Sequence, residues 1–293
     1  MSRLENFPSD SASASADWVG RRTKRTGALT PDLAGMLGAT LGHQATPRPD
    51  TSAGALLPRL WHWAAFPEFV PMNELGADGH PALGQFLPPL RFSRRMWAAG
   101  DLNFHGDLHI GEPLHRVSRI VSIKEKEGAT GRMAFVTLSH VIEGELGGRI
   151  EERQDIVYLD IPDRFTPPRA IPVPEPLDFD ETVPMNEARL FRFSAATFNA
   201  HRIHYDLPYA RDVEKYPALV VHGPMQAALA LEAAERRFGK PASSFRFRGV
   251  HPMFHTEDLR LIGQRDPDGG GAEIGTASPR GHMGLKARME WER

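Results

Sequence analysis

Four segments of strand length follow one another between Leu102 and Leu159, and they limit the fold more than any other feature of this 293-residue chain. Leu102–Ile110, Arg116–Lys126, Arg132–Ile142 and Arg149–Leu159 are enriched in Val, Ile and Phe, the residues that fit a pleated, half-buried surface. Glu127-Gly128 and glycines 144, 147 and 148 stand between them where hairpins must turn. An antiparallel meander follows, because parallel pairing would need crossovers of a dozen residues or more. A helix start at Thr30-Pro31-Asp32 precedes the meander and leads into a glycine-rich helix. Leu60-Trp61-His62-Trp63 with Phe66 and Phe69 forms an aromatic stretch that reads as core packing.

Beyond the meander, prolines at 162, 167, 168, 172, 174 and 176 make residues 161–180 an extended, semi-rigid linker. The plan then recurs. A short strand is expected over Arg189–Phe193, then helical material, then a long helix from Pro224 to Phe238, stopped by Gly239 and Pro241. Its Glu232 and Arg236 are spaced for an exposed i,i+4 pair. Alternating Ser244–His251 and His282–Trp291 read as half-buried strands, with two more near Leu259–Ile262 and Glu273–Ala277. The expected architecture is α+β, two halves that each set one helix against an antiparallel sheet. Residues 17–160 form the first half, 181–293 the second, and the Ser/Ala-rich residues 1–16 a disordered tail.

Composition narrows the function. A formal net charge of −2 and no basic run argue against a nucleic-acid surface. No cysteine is present, so there is no disulfide framework, thiolate nucleophile or thiolate metal site. No apolar run spans a bilayer and the N-terminus lacks the order of a signal peptide, so a soluble, cytoplasmic protein is expected.

Polar side chains concentrate in Phe193–Met225, where Asn199, His201, Arg202 and His204 fall within six positions and His222-Gly223-Pro224 follows. Pro224 at the first position of a helix leaves the amides of that turn unpaired, with the positive end of the helix dipole behind them. Such a terminus can receive the oxygen of a polarised carbonyl, and Gly223 lets a ligand approach the backbone. His204 suits proton transfer near neutral pH. Each residue also has a plainer reading: Asn199 caps a turn, His222 fixes one, and Arg246 and Arg248 form a solvated strand face. His201-x-x-His204 is half of a metal site without a clear third ligand, so no metal is assigned.

Asn199-Ala-His201-Arg202-Ile-His204-Tyr-Asp206, followed by Val-Val-His222-Gly223-Pro224, resembles the active-site region of MaoC-like hotdog-fold enoyl-CoA hydratases and hydroxyacyl-thioester dehydratases. Arg95-Met-Trp-Ala-Ala-Gly100 with Phe104-His105 is similar to the two-domain subfamily, which includes hydroxyacyl-thioester dehydratase type 2 and the mesaconyl-C4-CoA and itaconyl-CoA hydratases. The positions of His204, Asp206 and His-Gly match, whereas Asn199 stands where the wider family has an aspartate. The resemblance implies a double hotdog with a degenerate, substrate-shaping first half. It implies hydration or dehydration of a short, branched, dicarboxylic 2-enoyl-CoA, with fatty acyl thioesters, thioester hydrolysis or binding without turnover as the alternatives. His204 and Asn199 would be catalytic. Gly223, His222, Pro224, His201 and Arg202 would bind substrate, Arg202 holding a distal carboxylate, and Arg246 and Arg248 would face the CoA phosphates. No cofactor is implied beyond the coenzyme A of the substrate, and the expected partner is an acyl-CoA thioester, with a homo-oligomer left open.

Overall fold

A computed structural model describes residues 17–42, 49–128 and 131–292; the expected N-terminal tail, 1–16, lies outside the described residues. The strands are β1 (Arg22–Gly27), β2 (Arg94–His105), β3 (Leu114–Gly128), β4 (Gly131–Gly144), β5 (Arg149–Leu159), β6 (Phe179–Val183), β7 (Ser244–Gly249), β8 (Leu259–Arg265), β9 (Gly271–Ala277) and β10 (Met283–Glu290). Among the described residues they form one antiparallel sheet of ten strands in the order β1-β3-β4-β5-β2-β7-β10-β9-β8-β6. Three strands of the expected meander, β3, β4 and β5, are neighbours in sequence order, whereas the strand expected over Leu102–Ile110 is β2 (Arg94–His105) and pairs with β5 rather than β3. β4 buries every second side chain, hiding Ala134, Val136, Leu138, His140 and Ile142.

The two halves meet where β2 pairs with β7, with Gly100 opposite Phe247. A Cβ at Gly100 would run into the Phe247 ring, so only glycine lets that aromatic cross the seam.

In the second half, helix α3 (Gly223–Phe238) packs on β8, β9 and β10. Pro224 lies in its first turn and Gly239, at φ 66°, ends it in the left-handed region. Met225, Leu229 and Leu231 are each at most 1% exposed, and burying such side chains contributes about 1.5–3 kcal/mol apiece. The expected Glu232–Arg236 pair does not form. Glu232 instead accepts a hydrogen bond from the Trp61 indole at 2.6 Å, and Arg236 reaches Glu181 on β6. Packing against the first half's aromatic turn outcompetes an exposed pairing worth a few tenths of a kcal/mol.

The first half differs. Helix α1 (Pro31–Leu41), capped by Thr30, has its main helix contacts with α2 (Glu187–Ala196) and α3. Its apolar stripe is short, and Gly35 and Gly38 weaken it further. Part of its sheet's inner face is covered by the crossing segment, with Leu83, Phe86, Leu87 and Leu90 against Leu138, Ile156 and Tyr158.

A local expectation is corrected. Arg189–Phe193 is helical: Asn186 caps α2 by accepting from the Arg189 amide at 2.9 Å, and Leu190, Phe193 and Ser194 share its buried side. Arg22–Gly27 forms β1, an edge strand paired with Leu114–Arg119 of β3. Residues 161–178 run from β5 to β6; Ile171, Val173 and Leu177 pack on β8–β10, and Phe165 to Arg169 turn toward a cavity. No described helix is long and apolar enough to cross a membrane.

Candidate active site

The segment after α2 folds back on itself before α3 begins. The Asn199 side-chain oxygen accepts the His201 amide at 3.0 Å, closing a tight turn. A 3₁₀ turn over Arg202–His204 follows, and the Val220 amide donates to the Ile203 carbonyl at 3.0 Å, tying this turn to the residues before α3. From the first half, the loop at Asp78–Pro81 closes over the same turn, with the Arg202 amide donating to the Asp78 carbonyl at 2.9 Å. Gly79, at φ +88°, permits this approach, since a Cβ there would strike the Ala200 carbonyl.

These elements border a cavity of about 1530 Å³ that opens between the halves. The second half contributes Asn199, His201, His204, Gly223, Pro224 and Gln226; the first contributes His80, Arg94, Arg95, Trp97, Leu138 and Ile156. At Gly223 the nearest atom to an added Cβ would be the Trp97 carbonyl oxygen at 4.0 Å. The start of α3 has no side-chain cap, so its first-turn amides are donors beside open space.

His204 is 7% exposed. Its Nδ1 donates to the Val220 carbonyl at 2.7 Å, which leaves Nε2 as the basic atom of the neutral ring. Its pKa is held well below 6.5, first by burial and then by His222 and His201. His222 is stacked on it, ring centroids 3.6 Å apart, and bonds Ser194 Oγ through Nε2 at 2.9 Å. Burial, with His201 nearby, pushes His222 down to about 3. Two stacked buried imidazoles cannot both be charged, so the pair favours a neutral His204, the form that accepts a proton.

The expected site residues divide. Asn199, His201, His204, Gly223 and Pro224 come together on the cavity wall, while His222 supports from behind. Arg202 does not line the cavity. Its Nε and Nη2 donate to Asp206 at 3.0 and 2.8 Å, its Nη1 donates to the Ala77 carbonyl at 3.0 Å, and its plane lies over Tyr209. Arg246 and Arg248 also stand off the wall, on the exposed side of β7 opposite Phe247, and Arg246 pairs with Asp101 at 2.9 Å. Cations do line the cavity elsewhere. Arg94 donates to the Glu214 carboxylate at 2.7 Å and carbonyl at 2.6 Å. Arg95 donates through Nη2 to the Pro81 carbonyl at 2.6 Å, beside Asp78 and His80.

Sequence reasoning missed His80, Arg94 and Glu214. His80 lies in a glycine- and proline-rich crossing, and its only signal was an Asp-Gly-His triplet in a loop. Among the described residues, Asp78, His80 and His201 offer donor atoms within 4.8 Å of one another. His80 Nδ1 is engaged by Asp78 at 2.9 Å, however, and the His80 and His201 rings lie 4.1 Å apart at 37°, overlapping rather than converging on a point. We assign no metal to this group. Burial, despite the Asp78 contact, pushes His80 down to about 4, so this ring too is neutral at physiological pH.

Comparison with known proteins adds to this geometry. Residues 60–255 match the family profile described as hydroxyacyl-thioester dehydratase type 2. The chain is 39% identical over 287 residues to mesaconyl-C(4)-CoA hydratase of Chloroflexus aurantiacus, covering 94% of this chain and 99% of that one. It is 29% identical to the mitochondrial hydroxyacyl-thioester dehydratase type 2 of Schizosaccharomyces pombe, covering 69% and 75%. Among solved structures, a Mycobacterium tuberculosis protein with a double hotdog fold aligns over 93% of this chain and 96% of its own, at TM-score 0.57 and 15% identity.

Proposed function

Since the chain belongs to the hydroxyacyl-thioester dehydratase type 2 family, we propose that it adds water reversibly to a short, branched, dicarboxylic 2-enoyl-CoA. Mesaconyl-C4-CoA or itaconyl-CoA, each giving citramalyl-CoA, is the leading substrate. The observation that carries this reading is a neutral His204, its Nδ1 fixed on the Val220 carbonyl and Nε2 left as the base, on a cavity wall shared with the uncapped start of α3.

Hydration needs a base for water and a donor for the enolate oxygen. Water donates one proton to His204 Nε2 as its oxygen bonds the β-carbon. In mesaconyl-C4-CoA, whose double bond is conjugated with the thioester, its electrons move toward the thioester oxygen, which the Gly223 amide receives with the helix dipole behind it. The protonated His204 Nε2 then delivers its proton to the α-carbon, completing the 3-hydroxyacyl thioester and restoring the neutral ring. Because the Asn199 oxygen holds the His201 amide, its NH₂ end remains to orient the water. Protons and a developing charge are all this chemistry must handle, so no cofactor is required beyond the substrate's coenzyme A.

The distal carboxylate of such a substrate needs a cation. Arg202 is occupied by Asp206, and Arg94 by Glu214. Arg95 lines the cavity, and of its five donor hydrogens one goes to the Pro81 carbonyl, so we assign it this role in place of Arg202.

The test is a panel of enoyl-CoAs followed by loss of enoyl absorbance, with thiol release measured in parallel. Fastest turnover of mesaconyl-C4-CoA or itaconyl-CoA without free thiol is expected. Preference for long apolar chains would mark a fatty-acyl dehydratase, thiol release a thioesterase, and binding without turnover a carrier.

A further inference from the structure

The buried group behind His201 is not used by the chemistry derived above. Glu214 is 1% exposed and follows the short helical turn Tyr209–Val213. Arg94 holds its Oε2 at 2.7 Å and its backbone carbonyl at 2.6 Å, which fixes the carboxylate in one orientation. Its other oxygen, Oε1, faces His201 Nε2 at 3.6 Å, and both atoms are buried without a hydrogen-bond partner. Leaving two such atoms unpaired costs each its desolvation free energy, yet a shift of well under 1 Å would join them. Catalytic contacts are often long in the free enzyme and tighten with ligand.

We propose that Glu214, anchored by Arg94, is a positioning residue that accepts a hydrogen bond from His201 Nε2–H and thereby makes His201 Nδ1 a second hydrogen-bond acceptor for the water on the cavity wall. This rests on the hydratase reading. With Nε2–H turned to Glu214, the Nδ1 lone pair is the ring's free acceptor. His201 lines the cavity with its ring edge-to-face to His204 at 5.3 Å. One water can then donate one hydrogen to His204 Nε2 and the other to His201 Nδ1, while the Asn199 NH₂ donates to its oxygen. Two acceptors fix the direction of the oxygen lone pair that attacks the β-carbon. The water still gives up one proton, to His204, and no co-reactant is needed. Asp78, His80, His204 and His222 also face or neighbour His201, together with Arg94 and Arg95 from β2. Glu214 is the carboxylate that faces its Nε2.

Two measurements test this. Nitrogen-15 spectra of histidine-labelled enzyme without substrate should show His201 protonated on Nε2 and not on Nδ1. Glu214→Gln should lose that preference. An Nδ1–H tautomer in the unmodified enzyme overturns the proposal whether or not a substrate has been found. On the best enoyl-CoA, Glu214→Gln is expected to lower kcat about tenfold or more with KM little changed. In a double-mutant cycle with His201→Gln, Glu214→Gln should add almost nothing, because Glu214 acts through that ring. Fully additive losses would make Glu214 a structural residue only. If Glu214→Gln does not fold, the spectrum of the unmodified enzyme still decides. Absence of turnover on every enoyl-CoA, with the Nε2–H tautomer present, would sink the hydratase reading and leave the pairing standing.

Discussion

The two halves of the sheet bury their inner faces in different ways. The second lays α3 over β8–β10, and its apolar residues fill the groove. The first sends its helix to α2 and α3 and keeps a polar network on its own sheet. There Glu152 accepts the Trp63 indole at 3.0 Å and faces His62 at 3.3 Å, while His140 joins Ser118 at 2.7 Å and Gln154 at 3.1 Å. Burial pushes the Glu152 carboxyl up, but its contacts with His62, His140 and Trp63 outweigh this and hold it below the ordinary value. Gln154, Leu138 and Ile156 of this face border the cavity. In the proposed chemistry the pseudo-repeated halves divide labour: the second holds the base and the helix terminus for the carbonyl, and the first borders the space left for the acyl group.

The division is sharpest at His204. His204→Ala in the second half is expected to lower kcat by about 10²–10⁴ while substrate binding is nearly retained. Full activity in that variant, in the enoyl-absorbance assay, would break the comparison. Arg95→Met in the first half should act on selectivity instead. Its kcat/KM for mesaconyl-C4-CoA or itaconyl-CoA should fall about 10²-fold or more, because a desolvated charge loses its partner. Crotonyl-CoA, which carries no distal charge, should be affected much less; equal losses would return Arg95 to a structural role.

Asn199→Ala should cost about tenfold in kcat, less than His204→Ala, since it removes orientation rather than the proton acceptor. Asn199→Asp keeps an acceptor for the His201 amide but has no NH₂ donor for the water, so its kcat is expected to fall about as far as in Asn199→Ala. Retained activity in the Asp variant would show that the donor is not needed and that a carboxylate serves as well.

How much of this was legible in the residues follows from where each signal lies. β3, β4 and β5 were visible because their inward side chains repeat every second position, and α3 because Pro224 and Gly239 bracket an apolar run. Asn199, His201, His204 and Gly223 were legible because one local segment carries them all. β1 was not, since its buried contacts lie beneath arginine and threonine stems rather than an apolar alternation. Arg94, His80 and Glu214 were hidden for a different reason: their meeting depends on a seam joining residues 120 positions apart. Arg202 carried a local warning, because Asp206 four residues later is the spacing at which a helical turn pairs opposite charges.

The smallest effect concerns the joint between the halves. Burial, opposed by the Trp61 hydrogen bond, raises Glu232 to about 7. The folded state therefore keeps a proton that the unfolded chain releases near its ordinary 4.5. That contribution is complete below pH 4.5 and is lost as pH rises through about 7. Urea-unfolding midpoints of the unmodified protein should carry this loss between these limits. Glu232→Gln should remove it, leaving the variant about 1–3 kcal/mol more stable than the parent at pH 8. Parallel pH profiles for the two proteins would place Glu232 in a wetter setting than the Trp61 contact implies.

The proposed hydration depends most on a neutral His204 whose base is Nε2. Nitrogen-15 spectra of the ligand-free enzyme, with His204 assigned by its absence from His204→Gln, read this directly. The expected result is an Nδ1–H, Nε2-unprotonated ring that stays neutral as pH falls below 6.5. A ring that becomes imidazolium near 6.5, or one carrying its proton on Nε2, would contradict it.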